Sequence, residues 1–180
     1  MEIDLKSDLK TNRLILTVIP TQEYAESVAG MVRDLNASYN RVIYVSLNKL
    51  INPLRRELQD RSVDLGKFFF VDGVTKTAIP NPPEMQNCIY VPSPDDMTKL
   101  SIAITKVLQT FDPDCLFFES LSTLLIYEDP MIVTQFVHSL INKVNAYGIR
   151  AVFTCLDGEK ERELIRALAL TMDKVIEPPK

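Results

Sequence analysis

Seven short runs of apolar residues recur along the chain: Leu14–Ile19 (LILTVI), 41–46 (RVIYVS), 67–72 (KFFFVD), 88–91 (CIYV), Cys115–Glu119 (CLFFE), 149–155 (IRAVFTC) and Lys174–Ile176 (KVI). They are rich in β-branched and aromatic residues, and most are apolar at successive rather than alternate positions. A strand of that kind has no face to give to water, so it belongs in a sheet covered on both sides. Between most of the runs lie segments with helical periodicity. Strands alternating with helices imply parallel pairing through right-handed crossovers. The expected fold is an open, three-layer α/β domain with a mostly parallel sheet and helices on both faces.

The spacing of Tyr24, Val28, Met31, Val32 and Leu35 predicts a helix over 21–36, with Thr21 as N-cap and Glu23 in the first turn. A shorter helix is expected over 49–61. Ser93-Pro94-Asp95-Asp96 reads as a helix start, with Ser93 capping, Pro94 in the first turn and two carboxylates facing the dipole. That helix runs to 111, with Leu100, Ile104, Val107 and Leu108 inward. Asp129-Pro130 opens another over 129–147, and Gly148 stops it. The last covers 160–172. Residues 73–87 hold Pro80, Pro82 and Pro83 and read as a loop. No repeat or linker divides the chain, so a single domain over residues 1–180 is expected.

Charge narrows the function classes. Twenty basic residues against 24 acidic give a formal charge of −4. Nucleic-acid binding is not expected, because it needs clustered Lys and Arg. The one basic cluster, Arg55, Arg56 and Arg61, is interleaved with Glu57 and Asp60 and reads as a solvated helix face. No apolar run approaches the roughly 20 residues of a membrane span. The first fifteen residues mix charges of both signs, unlike a secretory signal. Cys88, Cys115 and Cys155 are too scattered for a disulfide framework or a zinc knuckle and are expected to pack as small hydrophobes. A cytoplasmic protein is the expectation. His138, the only histidine, falls with Thr134, Asn142 and Asn145 on the polar side of its helix. It is expected to face solvent, with no metal site and no histidine-dependent triad.

Open α/β sheets bind ligands at the carboxyl ends of their strands. Those ends supply the candidate site residues: Pro20, Thr21 and Gln22 after the first strand, Ser46 after the second, Glu119 and Ser120 after CLFFE, and Thr154 near the end of IRAVFTC. The stretch CLFFESLSTLLIYED resembles the Walker B strand and following loop of RecA/KaiC-type ATPases. VIYVSLNKLINPLRRELQDRSVDLGKFFFVDGVT resembles the region after the first helix of that superfamily, and VPSPDDMTKLSIAITKVLQ is similar to archaeal KaiC-like proteins of unknown function. The resemblance covers residues 14–176. It implies a RecA-like core with strand order 3-2-4-5-1-6, CLFFE being counted as the fourth strand and the short 88–91 strand left out.

The chemistry of that superfamily is not carried by these residues. A Walker A phosphate loop needs Gly-x-x-x-x-Gly-Lys-Ser/Thr between the first strand and its helix, because glycines let backbone N–H groups wrap the phosphates and the lysine neutralises charge. Here the first glycine is Gly30, and no lysine lies between Lys10 and Lys49. Pro20 has no N–H, and Glu23 and Glu26 put negative charge where a polyphosphate would sit. Ser46, Leu47 and Asn48 stand where a catalytic carboxylate would be expected, and Glu119 replaces the magnesium-associated aspartate.

Three readings follow. In the first, the chain is a non-catalytic RecA/KaiC-like domain, a pseudo-ATPase acting in signalling or assembly through protein contacts, as a homo-oligomer or with a RecA-like ATPase relative; no cofactor and no metal are expected. In the second, it is an atypical nucleotide-binding protein or weak ATPase, in which Glu119 holds Mg²⁺ for ATP and Arg13 or a neighbour's side chain replaces the lysine. In the third, it is a small-molecule sensor whose vestigial nucleotide cleft is flanked by Gln22, Ser46, Ser120 and Thr154.

Overall fold

In a computed structural model that describes residues 3–178, the apolar runs pair into one seven-stranded sheet, and every strand pairing is parallel. In chain order the elements are α1 (Leu5–Thr11), β1 (Leu14–Ile19), a 3₁₀ turn (Thr21–Glu23), α2 (Tyr24–Ser38), β2 (Val42–Ser46), α3 (Ile51–Asp60), β3 (Phe68–Asp72), α4 (Thr75–Ala78), β4 (Cys88–Tyr90) and α5 (Met97–Phe111). There follow β5 (Cys115–Glu119), α6 (Leu121–Leu124), α7 (Pro130–Ala146), β6 (Arg150–Leu156), α8 (Arg162–Leu168) and β7 (Lys174–Ile176). The strand order is β4-β3-β2-β5-β6-β1-β7. The six strands of the expected order keep it, and the sheet departs from it by β4, which pairs with β3 and forms the edge.

Side chains on alternate strand positions leave the sheet on opposite faces. Leu16, Val18, Val45, Phe118 and Phe153 pack with residues of α5, α7 and α8, among them Ile104, Val137 and Leu164. Ile15, Ile19, Tyr44, Phe117 and Val152 pack with Leu5 and Leu9 of α1, Met31 and Leu35 of α2, and Leu54 and Leu58 of α3. Both layers of helices therefore cover a sheet that is apolar on each side. Each fully buried side chain of this size stabilises the fold by about 1.5–3 kcal/mol.

Several element limits differ from expectation for physical reasons. Asp96, not Ser93, caps α5: its carboxylate accepts the Lys99 amide at 3.0 Å, and the helix starts at Met97. The 73–87 segment is not wholly loop. Asp72 Oδ1 accepts the amides of Val74 and Thr75 at 2.7 and 3.0 Å and starts the single turn of α4. The last helix contracts to Arg162–Leu168. His138 is half-buried rather than facing solvent, and its buried Nε2 has no hydrogen-bond partner among the described residues. Arg55 does not simply face water, since its guanidinium lies 5.6 Å from the Phe70 ring centroid. Cys115 and Cys155 are buried, and burial pushes the Cys155 thiol up to about 12. Among the described residues no helix is long and apolar enough to cross a membrane. Residues 1, 2, 179 and 180 of the expected domain lie outside the described span.

Candidate functional site

The carboxyl ends of β1, β2, β5 and β6 converge on a cleft of about 510 Å³. Its first wall follows from the turn after β1. Pro20 leads into the 3₁₀ turn, where Glu23 N–H bonds to Pro20 O at 3.0 Å and Tyr24 N–H bonds to Thr21 O. The chain then enters α2 directly, so Tyr24 reaches back over the strand tips. Its hydroxyl lies 2.9 Å from Thr154 Oγ1. Thr154 Oγ1 also lies 3.3 Å from Phe118 O, a second acceptor for its proton. Burial, and secondarily the charge of Glu119, raises the Tyr24 pKa far above that of an ordinary phenol.

The floor is the end of β5. Glu119 is 2% exposed. Its carboxyl accepts a hydrogen bond from the hydroxyl of Tyr44 on neighbouring β2. Burial raises the Glu119 pKa above the usual carboxylate range, against weaker opposite pulls from the Tyr44 hydrogen bond and the Lys49 charge. The Glu119–Ser120 peptide is cis. Beyond it, Thr123 Oγ1 donates to Asn48 Oδ1, and Ser122 Oγ accepts the Leu156 amide at 2.8 Å, which ties α6 to the ends of β2 and β6.

Apolar side chains supply much of the wall: Ala25 and Val28 from α2, Leu125 and Ile126 after α6, and Leu156 from β6. Four charged groups complete it: Lys49, Glu119, Lys160 and Glu161. Lys49 Nζ is engaged by Glu57 at 2.5 Å. Among the described residues no group of three or more His, Cys, Asp or Glu is placed to hold a metal ion.

Of the sequence candidates, Thr21, Glu119 and Ser120 line this cleft together. Thr154 is buried behind Tyr24. Ser46 is buried and donates to Lys49 O at 3.1 Å. Gln22 is exposed and faces a separate surface hollow with Glu26 and Arg33, and Pro20 is not among the lining residues. Arg13 is at the opposite end of β1, where its guanidinium reaches Ile149 O at 3.4 Å. Six strand residues at about 3.3 Å each separate it from the cleft, so it cannot stand in for a phosphate-loop lysine. Sequence reasoning passed over Lys49, Lys160 and Glu161. Each sits a few residues beyond a strand end, and the rule that strand-end loops line the ligand crevice would have pointed to them.

Residues 15–178 match a family described as "Family of unknown function (DUF7504)". The chain belongs to this family. The crystal structure of the KaiC-like protein PH0186 from the hyperthermophilic archaeon Pyrococcus horikoshii OT3 is similar in fold, with a TM-score of 0.65 at 16% identity over 91% of this chain and 69% of that one. The fold of this DUF7504 member is therefore RecA/KaiC-like. No curated protein matches it.

Proposed function

We propose that this DUF7504 member is a RecA/KaiC-like domain that does not turn over nucleotide and acts by binding, through contacts with a second copy or with a RecA-like ATPase relative. The observation that carries the reading is the β1–α2 corner. A triphosphate needs several free amides and a lysine there. This corner has a proline, a tight 3₁₀ turn with two amides spent internally, and the Tyr24 side chain over the strand tips. Glu119, the residue nearest in position to a magnesium ligand, is committed to Tyr44 and burial favours its neutral form. The contact role draws support from Ile126, Tyr127 and Met131, which are 72%, 53% and 67% exposed beside the cleft. Surface apolar groups clustered in one segment are a common mark of an interaction site.

Calorimetric titration with Mg·ATP and sedimentation velocity over a wide concentration range test the proposal. The expected result is no sub-millimolar nucleotide binding, together with self-association that Met131→Glu weakens at least tenfold. Sub-millimolar Mg·ATP binding that disappears in Glu119→Gln would favour the atypical ATPase instead. A strict monomer that also ignores RecA-like ATPases would count against the contact role. A second reading, a small-ligand sensor, is favoured by the 510 Å³ cleft itself, whose volume lies in the range of small-molecule sites.

A further inference from the structure

The charges in the cleft are unequal in their commitments. Glu161 is 8% exposed and lines the cavity. It occupies the N-cap position of α8 yet makes no side-chain cap hydrogen bond. No hydrogen bond or ion pair of its carboxylate is found among the described residues. Its Oε2 rests against the bare backbone of Gly158, where an added Cβ would stand 2.3 Å away. Glu119 is 2% exposed; Tyr44 donates to its carboxyl, and among the described residues no cation lies within ion-pair distance of it. On the positive side, Lys49 is taken by Glu57, and Lys160 is exposed at the rim. Two nearly buried carboxyls, neither ion-paired among the described residues, therefore face a cavity much of whose wall is apolar, from Ala25, Val28, Leu125, Ile126 and Leu156. A buried carboxylate without an opposite charge is costly, and a bound cation relieves that cost.

We propose that this cleft takes a small, largely apolar molecule carrying a protonated amine, the ammonium group resting between Glu119 and Glu161 and the apolar body between α2 and the segment after α6. The proposal rests on the small-ligand reading and adds the ligand's chemical class. It also separates the cleft from nucleotide binding, since a triphosphate would bring negative charge to the same two carboxyls. Lys160 at the rim opposes an amine weakly, because its charge is solvated.

A matched pair of probes tests it: 2-(1-naphthyl)ethylamine and 1-naphthylacetic acid, which share one apolar body and differ in head-group charge. Ligand-observed NMR and calorimetry at pH 7 read their affinities for the intact chain, with Mg·ATP as a third arm. The expected result is at least tenfold preference for the amine over the acid. Glu161→Gln and Glu119→Gln should each weaken the amine at least tenfold and leave the acid unchanged or better bound. Ala25→Trp, at an exposed position on the cleft wall, should remove both. Should Glu119→Gln fail to fold, Glu161→Gln carries the comparison alone. Equal binding of the two probes, or tighter binding of the acid, overturns the amine class while the cleft survives as a ligand site. Failure of all three ligands to bind overturns the small-ligand reading itself.

Discussion

Replacing Tyr44 by Phe removes a single oxygen from the centre of the domain. Tyr44 is 0% exposed, and its ring contacts Phe70 and Phe117 at centroid distances of 5.7 and 5.2 Å. Phenylalanine keeps those contacts. What is lost is the hydrogen bond from the Tyr44 hydroxyl to the Glu119 carboxyl. A buried hydrogen bond is worth about 0.5–1.5 kcal/mol to a neutral partner and about 1.5–3 kcal/mol to an ionised one. For a chain of this length each kcal/mol moves the melting temperature by about 2–4 °C, so Tyr44→Phe should lower it by roughly 1–6 °C where Glu119 is neutral and roughly 3–12 °C where it is ionised. The loss should also depend on pH. Burial raises the Glu119 pKa, so between its unfolded and folded values the native state holds a proton that the unfolded chain has released. Stability from this group is therefore full below the unfolded pKa and falls as pH rises through the folded one. Removing the Tyr44 donor raises the folded value further, so the cost of Tyr44→Phe should grow as pH rises through the folded value. Urea denaturation at pH 5, 6.5 and 8 measures it. In a Glu119→Gln background, where nothing at position 119 titrates, the cost should become independent of pH. A cost below about 0.5 kcal/mol, or one that stays constant with pH in the native background, would refute the reasoning.

Substitutions at two further positions test the core and the backbone. Thr17 is fully buried on β1 and its Oγ1 has no partner among the described residues, so Thr17→Val should stabilise by about 1 kcal/mol in chemical denaturation. A loss of stability would mean that the hydroxyl is satisfied. Gly148 ends α7 at φ +69° with open space around a would-be Cβ, so Gly148→Ala should cost about 1–2 kcal/mol from backbone strain alone, and Gly148→Asn less. Thermal unfolding of the two variants side by side checks that order.

The architecture was legible because the strands are unusual. Runs such as FFFV and CLFF have no polar face, and that alone requires helices on both sides and parallel pairing. The order of the six longer-range strands came with the family resemblance, while β4, three residues long and half-buried, carried too little signal to be placed. α1 escaped notice because its burial rests on two residues, Leu5 and Leu9, in a segment otherwise charged. The α5 start was displaced because Ser93 and Asp96 are equally good caps by residue type, and only the amide of Lys99 decides between them. At the site, Glu119 and Ser120 were visible as strand-end polar residues. Glu161 was not, because its burial and lack of partners are properties of the folded loop around Gly158, not of local sequence.

The position of β1 has a consequence for how the chain must be made. β1 lies between β6 and β7, and its register runs Leu14 with Ala151 and Ile15 with Lys174. An early strand with all six residues buried thus waits for neighbours encoded near the other end. At roughly 5–20 residues per second, the ribosome delivers β6 about 7–27 s after β1 has emerged. Throughout that interval LILTVI is an unpaired sticky edge, so a holdase that clasps this segment during translation should raise the yield of native protein more than one acting on the released chain.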